Sequence, residues 1–110
     1  MKKFVLLFVG RTAAPEAEDA VTRDYNQRWV AWMRDLGARG LMEAGLPMEP
    51  TGREVGRDGV TDYQAADVDV GGLLIVRAEG LDEAVEIARS APHIALGGST
   101  IVRPAIEVPV

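Results

Sequence analysis

His93 is the only histidine in the 110 residues, and there is no cysteine. An imidazole changes charge near neutral pH, so His93 is the one side chain able to move a proton without a shifted pKa. It could take a proton from a small acidic substrate and return it. A carboxylate beside the ring would orient it and favour its charged form, and Asp62 is the candidate. The competing readings are structural. A histidine just past a helix can sit in solvent or bond the last carbonyls of that helix. A carboxylate at a hairpin end can bond local amides.

Arg11 and Arg103 lie at or near the ends of expected strands, where a carboxylate-bearing ligand could be gripped bidentately. Surface pairing with Asp or Glu is the alternative. Trp29 and Trp32 fall on one apolar stripe, which suits core packing, yet an indole often keeps its N–H at a pocket. Trp32 is carried forward as a candidate substrate contact, and Tyr63 likewise. Tyr25 has the same ambiguity. Asp67 and Asp69 read as a solvated acidic loop with at most weak chelation. One histidine, no cysteine and scattered carboxylates give no closed zinc set, so no metal or cofactor is expected. Gly71-Gly72 and Gly97-Gly98 lack the spacing of phosphate or dinucleotide loops and read as backbone freedom at strand entries.

The elements that must position these residues follow from periodicity. Residues 3–9 read as a strand with Phe4, Leu6 and Phe8 on one face and Val5, Leu7 and Val9 on the other. Residues 16–36 read as helical, with Val21, Tyr25, Trp29, Trp32, Met33 and Leu36 as the stripe and Gly37 and Gly40 as the stop. An edge strand is expected at 41–46. Asp58-Gly59 suggests a two-residue hairpin turn between strands at 52–57 and 60–64. Residues 65–70 read as a loop, and residues 72–79 as a second doubly apolar strand. Gly80 is an acceptable N-cap for a helix with Glu83 at N3. Its inner stripe is Leu81, Ala84, Val85 and Ala88, flanked by Ile87, and it ends by Pro92. A last strand is expected at 99–108, with Pro104 at an edge or bulge.

Strand, helix, a group of strands, strand, helix, strand is the α+β, ferredoxin-like split βαβ plan with an antiparallel sheet. Two helices cover one sheet face, but two strands are apolar on both. The simplest remedy is a homodimer in which sheets pack on each other.

The order and spacing of several blocks resemble the YCII-related (DGPF-domain) family. They are Phe4-Val-Leu-Leu-Phe, Trp29-Val-Ala-Trp32-Met33, Gly40-Leu-Met-Glu-Ala-Gly45, Pro50-Thr-Gly52, Gly72 through Ala88, Ala91-Pro92-His93 and Gly97 through Pro104. The resemblance implies a dimeric α+β barrel assembly of ferredoxin-like units. It also implies a cleft holding a histidine and an aspartate suspected of acid–base chemistry. One branch of the family resembles dehydrochlorinases of ring-cleavage pathways, and some members are associated with alternative sigma factors. The family's Val-Thr-Asp-Gly-Pro-Phe block corresponds to Val60-Thr61-Asp62-Tyr63-Gln64-Ala65 here: the aspartate stays and Gly-Pro-Phe is absent.

The totals narrow the function classes. A chain of 110 residues fits one domain, residues 1–110. A formal charge of −5 repels phosphate backbones, so nucleic-acid binding is not expected. The apolar run after Met1-Lys2-Lys3 is too short for a membrane span and lacks a small-residue cleavage site. A soluble, cytoplasmic protein is the default expectation. Two functions remain open. One is a homodimeric enzyme running a lyase or dehydrohalogenase-like step on a small anionic or aromatic compound through His93 and Asp62. The other is a non-catalytic dimer that binds a small ligand or regulatory partner, or serves a purely structural role.

Overall fold

The structure is a computed structural model describing residues 1–10 and 20–109. Its elements are β1 (Lys2–Val9), α1 (Ala20–Ala38), β2 (Met42–Pro47), β3 (Thr51–Gly56), β4 (Gly59–Gln64), β5 (Val70–Ala78), α2 (Leu81–Arg89) and β6 (Ser99–Pro104). A 3-10 turn, Ile94–Leu96, separates α2 from β6. The sequence position Arg11 lies outside the described residues.

Four strands form an antiparallel sheet in the order β2-β5-β1-β6, and β3 pairs with β4 in a separate hairpin. This is a ferredoxin-like α+β arrangement. The two doubly apolar strands, β1 and β5, take the centre, where burial on both faces is greatest. Leu6 stands opposite Leu74 and Val102, and Leu7 opposite Leu73 and Ile101. Pro104 falls at the end of an edge strand, where a missing N–H breaks no ladder.

Alternation divides the sheet into two faces. Phe4, Leu6, Phe8, Leu74, Val76 and Ala78 point to the helices and form one core with Trp29 and Leu36 of α1 and Ala84, Ile87 and Ala88 of α2. Full burial of a side chain such as Leu6 or Leu36 contributes about 1.5–3 kcal/mol. The other face carries Val5, Leu7, Leu73 and Ile75, with Leu46 and Ile101 exposed beside them. Among the described residues, no helix covers it.

The local expectations shift in four places. In α2 the buried arc is Ala84, Ile87 and Ala88, continuing to Ala91, while Leu81 and Val85 are exposed. That arc steps by three and four residues and presents small alanines to the sheet, so Ile87 lies inside it. In α1, Val21 is exposed near the helix start and the helix runs through Gly37 to Ala38. The hairpin turn moves by one residue: Gly56 pairs with Gly59, so Arg57 and Asp58 form the turn. Strand β6 ends at Pro104, although the Ala105 N–H still reaches the Lys3 carbonyl at 3.0 Å.

Candidate functional site

His93 follows α2 by way of Ala91-Pro92 and is 2% exposed. Its ring stacks on the Trp29 indole at 5.3 Å with 29° between the planes, and lies edge-on to Phe8 at the same separation. The local chain forces this inward pose. Gly98 N–H bonds the His93 carbonyl at 2.9 Å, and Gly97 N–H bonds Ile94 O at 3.1 Å. Together these close a Schellman motif, which needs the left-handed φ of +91° found at Gly97. A Cβ at Gly98 would fall 2.5 Å from His93 Cδ2, so only glycine lets the backbone lie against the ring. The glycine pair therefore seats the histidine.

The ring's protonation state follows from its partners. Nε2 lies 2.8 Å from the Ser99 carbonyl, and a carbonyl oxygen only accepts, so Nε2 carries the proton. The Thr100 hydroxyl oxygen is 3.2 Å from the same nitrogen. Nδ1 is left with the lone pair and, among the described residues, with no hydrogen-bond partner. Burial pushes the His93 pKa down, offset in part by the bond to Ser99. The ring is thus a neutral imidazole with a fixed tautomer.

His93 lines a cleft of about 520 Å³. Among the described residues, Val9 and Gly10 from the end of β1, Thr22 and Tyr25 from α1, Asp67 and Val68 from the loop before β5, and Leu96 to Ser99 also line it. The lining is largely apolar. Burial raises the Tyr25 pKa, and the neighbouring Trp29 indole N–H partly offsets this. That N–H nevertheless meets no partner in hydrogen-bond geometry among the described residues. No three His, Asp or Glu side chains gather to hold a metal among the described residues.

The other sequence candidates stand elsewhere in the chain. Asp62 is on β4 with its side chain 98% exposed, 4.0 Å from Arg53 across the hairpin. It does not line the cleft, so within this chain His93 shares its cleft with Asp67 and not with Asp62. Trp32 spends its N–H on Ser90 Oγ at 2.9 Å, tying α1 to the end of α2. Arg103 pairs with Val5 on β1 and shares the open sheet face. The Tyr63 hydroxyl donates to Asp69 Oδ2 at 2.9 Å, and the Ala66 N–H donates to the same oxygen at 2.7 Å. These two bonds, the backbone one first, hold the Asp69 carboxyl below its ordinary pKa, and the same carboxylate raises that of Tyr63. Asp67, which the sequence suggests is part of a solvated acidic loop, lies in the cleft wall, and Val68 beside it is a wall residue that the sequence did not single out. The available signal was two aspartates flanking one valine directly before a strand, a pattern suited to a side-chain-capped turn.

Comparisons with known proteins identify the family and the fold. The family model for the YCII-related domain matches residues 3–107. The chain belongs to the YCII-related family. A solved structure similar to this YCII-related chain is the 5-chloro-2-hydroxyhydroquinone dehydrochlorinase of Burkholderia phenoliruptrix AC1100, in complex with 2,5-dihydroxybenzoquinone. The two share 23% identity over 96% of this chain and 95% of that one, with a TM-score of 0.59. At that identity the likeness is one of fold. No curated protein matches the chain.

Proposed function

We propose that this protein is a small-molecule enzyme in which His93 acts as the base of an elimination on a hydroxylated ring compound. The observation that carries the reading is the neutral, tautomer-fixed imidazole lining an apolar cleft. Nε2–H is anchored on Ser99, so proton transfer falls to Nδ1. A proton leaves the ring compound for Nδ1 while its electron pair expels chloride or another leaving group, a net loss of HX that needs no oxidant. The dehydrochlorinase of similar fold binds a dihydroxylated quinone, which supports a ring of that class. The His93–Asp62 pair would require Asp62 of a second protomer. A homodimer burying the open face of the sheet belongs to the same proposal.

The test is chloride release from chlorinated hydroxyhydroquinones, comparing wild type with His93→Gln. Loss of a general base lowers the rate by about 10²–10⁴-fold. Equal rates in both proteins would remove His93 from the chemistry. A second reading is non-catalytic binding of the same ring compounds, and one observation favours it: Nδ1 is enclosed and Nε2 is already bonded. Binding without release of any leaving group by the wild type would select it.

A further inference from the structure

We propose that Asp69 and Tyr63 are positioning residues for the His93 cleft, and that the exposed β3–β4 hairpin sets one wall of the cleft through them. This rests on the reading of that cleft as the ligand site. Two segments meet at Asp69. The end of β1 supplies Val9 and Gly10 to the lining, and the loop before β5 supplies Asp67 and Val68. The Asp69 carbonyl accepts the Gly10 N–H at 3.2 Å, and its own N–H donates to Ala66 O at 3.0 Å. Its carboxylate accepts the Ala66 N–H and the Tyr63 hydroxyl. Asp67 and Val68 are therefore the residues enclosed by a turn that Asp69 closes on both sides and pins to β1.

An ionised carboxylate is a stronger acceptor than a neutral one, which suits a residue holding two donors at once. Tyr63 brings in the hairpin. Every residue of β3 and β4 is exposed, and an isolated two-stranded hairpin is marginal in water. Its tie to the cleft wall runs from the Tyr63 ring through the hydroxyl into Asp69. The wall held in this way carries Val68, which is 79% exposed, and the 3-10 turn contributes Leu96 at 72%. Both are apolar side chains at the cleft with little among the described residues to cover them, and the flat face of a ring would do so. Tyr63 thus acts through Asp69 on the shape of the site and makes no substrate contact of its own.

Tyr63→Phe keeps the ring and removes the hydroxyl. The expected result is amide exchange at Ala66 and Gly10 about tenfold faster, the equivalent of one lost charge-assisted hydrogen bond. The His93 titration midpoint, followed by NMR, should rise toward its ordinary 6.5 as water gains the ring. Among the described residues, the titratable groups lining the cleft with His93 are Tyr25 and Asp67, and the substitution leaves both in place. The thermal midpoint should barely move, because the hairpin lies outside the core. Asp69→Asn should shift exchange and the His93 midpoint in the same direction. Wild-type exchange and an unmoved His93 midpoint in both variants would overturn the positioning role. That readout needs no ligand, so it is separable from the proposed function. Failure of 2,5-dihydroxybenzoquinone to bind the wild type would overturn the ring-compound reading alone, with the positioning role still judged by the midpoint.

Discussion

His93 is held neutral by its burial among aromatic rings, and a carbonyl fixes its Nε2 proton. Such a group links stability to pH. Its folded pKa lies below the unfolded value of about 6.5, so the unfolded chain binds the extra proton first. The stabilisation is complete above that value and is lost as pH falls through the folded pKa. Asp69 and Glu43 are also held low, by Ala66 with Tyr63 and by Arg77 with Lys3, and their effects fall below ordinary carboxylate pKa values. With a single histidine in the chain, a fall in the urea midpoint between pH 7 and 5 is dominated by His93, because the carboxylates titrate lower. His93→Gln should flatten that slope, and an equal slope in both proteins would contradict the assignment. The histidine itself was legible in the sequence because it is unique. Its neighbour was not. Asp62 and Asp67 are both acidic residues in turn-rich sequence, and only the Asp69-capped turn decides which one reaches the cleft.

At the level of elements, a polar contact joins the two helices over an apolar base among the described residues. Ser90 Oγ donates to Ile87 O at 2.9 Å and accepts the Trp32 N–H. Ser90→Ala removes both roles and should cost about 1 kcal/mol in a denaturant titration. It should leave the His93 titration unchanged, because Ser90 does not line the cleft. Most elements were legible as periodicity: the doubly apolar β1 and β5, the stripe of α1, and the paired runs of the hairpin. The shifts arose where one residue's geometry outweighed the pattern. Ile87 turned inward because alanines let α2 approach the sheet, and the turn fell on Arg57-Asp58 because Gly56 pairs with Gly59. The seat of His93 was legible only as two adjacent glycines. Their purpose depends on a ring three-dimensionally beside Gly98.

For the whole molecule, the open face of the sheet is the feature left over once the core is built. Val5, Leu7, Leu73 and Ile75 form its middle, and Lys3, Glu43 and Arg77 form a charged corner with bonds of 3.2 and 3.1 Å. Such exposed ion pairs contribute little to stability and serve better to set register between surfaces. If two copies pack by this face, Ile101→Glu on the edge strand places a charge in the interface. Light scattering at micromolar concentration should then read the dimer's mass for wild type and half of it for the variant. A monomeric wild type would remove the packing argument. This face was legible at the sequence level because alternation in β1 and β5 left no polar side. What covers it is not encoded in the alternation of one chain.

The stack of Trp29 on His93 has an optical consequence. The chain has two tryptophans, and the second is committed to Ser90, away from the cleft. A charged imidazole against an excited indole accepts an electron and quenches its emission, whereas a neutral one does so weakly. The intrinsic fluorescence of this protein should therefore dim as the cleft histidine gains a proton. Trp32 stands edge-on to Trp29 at 5.6 Å, so the two indoles share their excitation and dim together, and the site can be read in solution without a label.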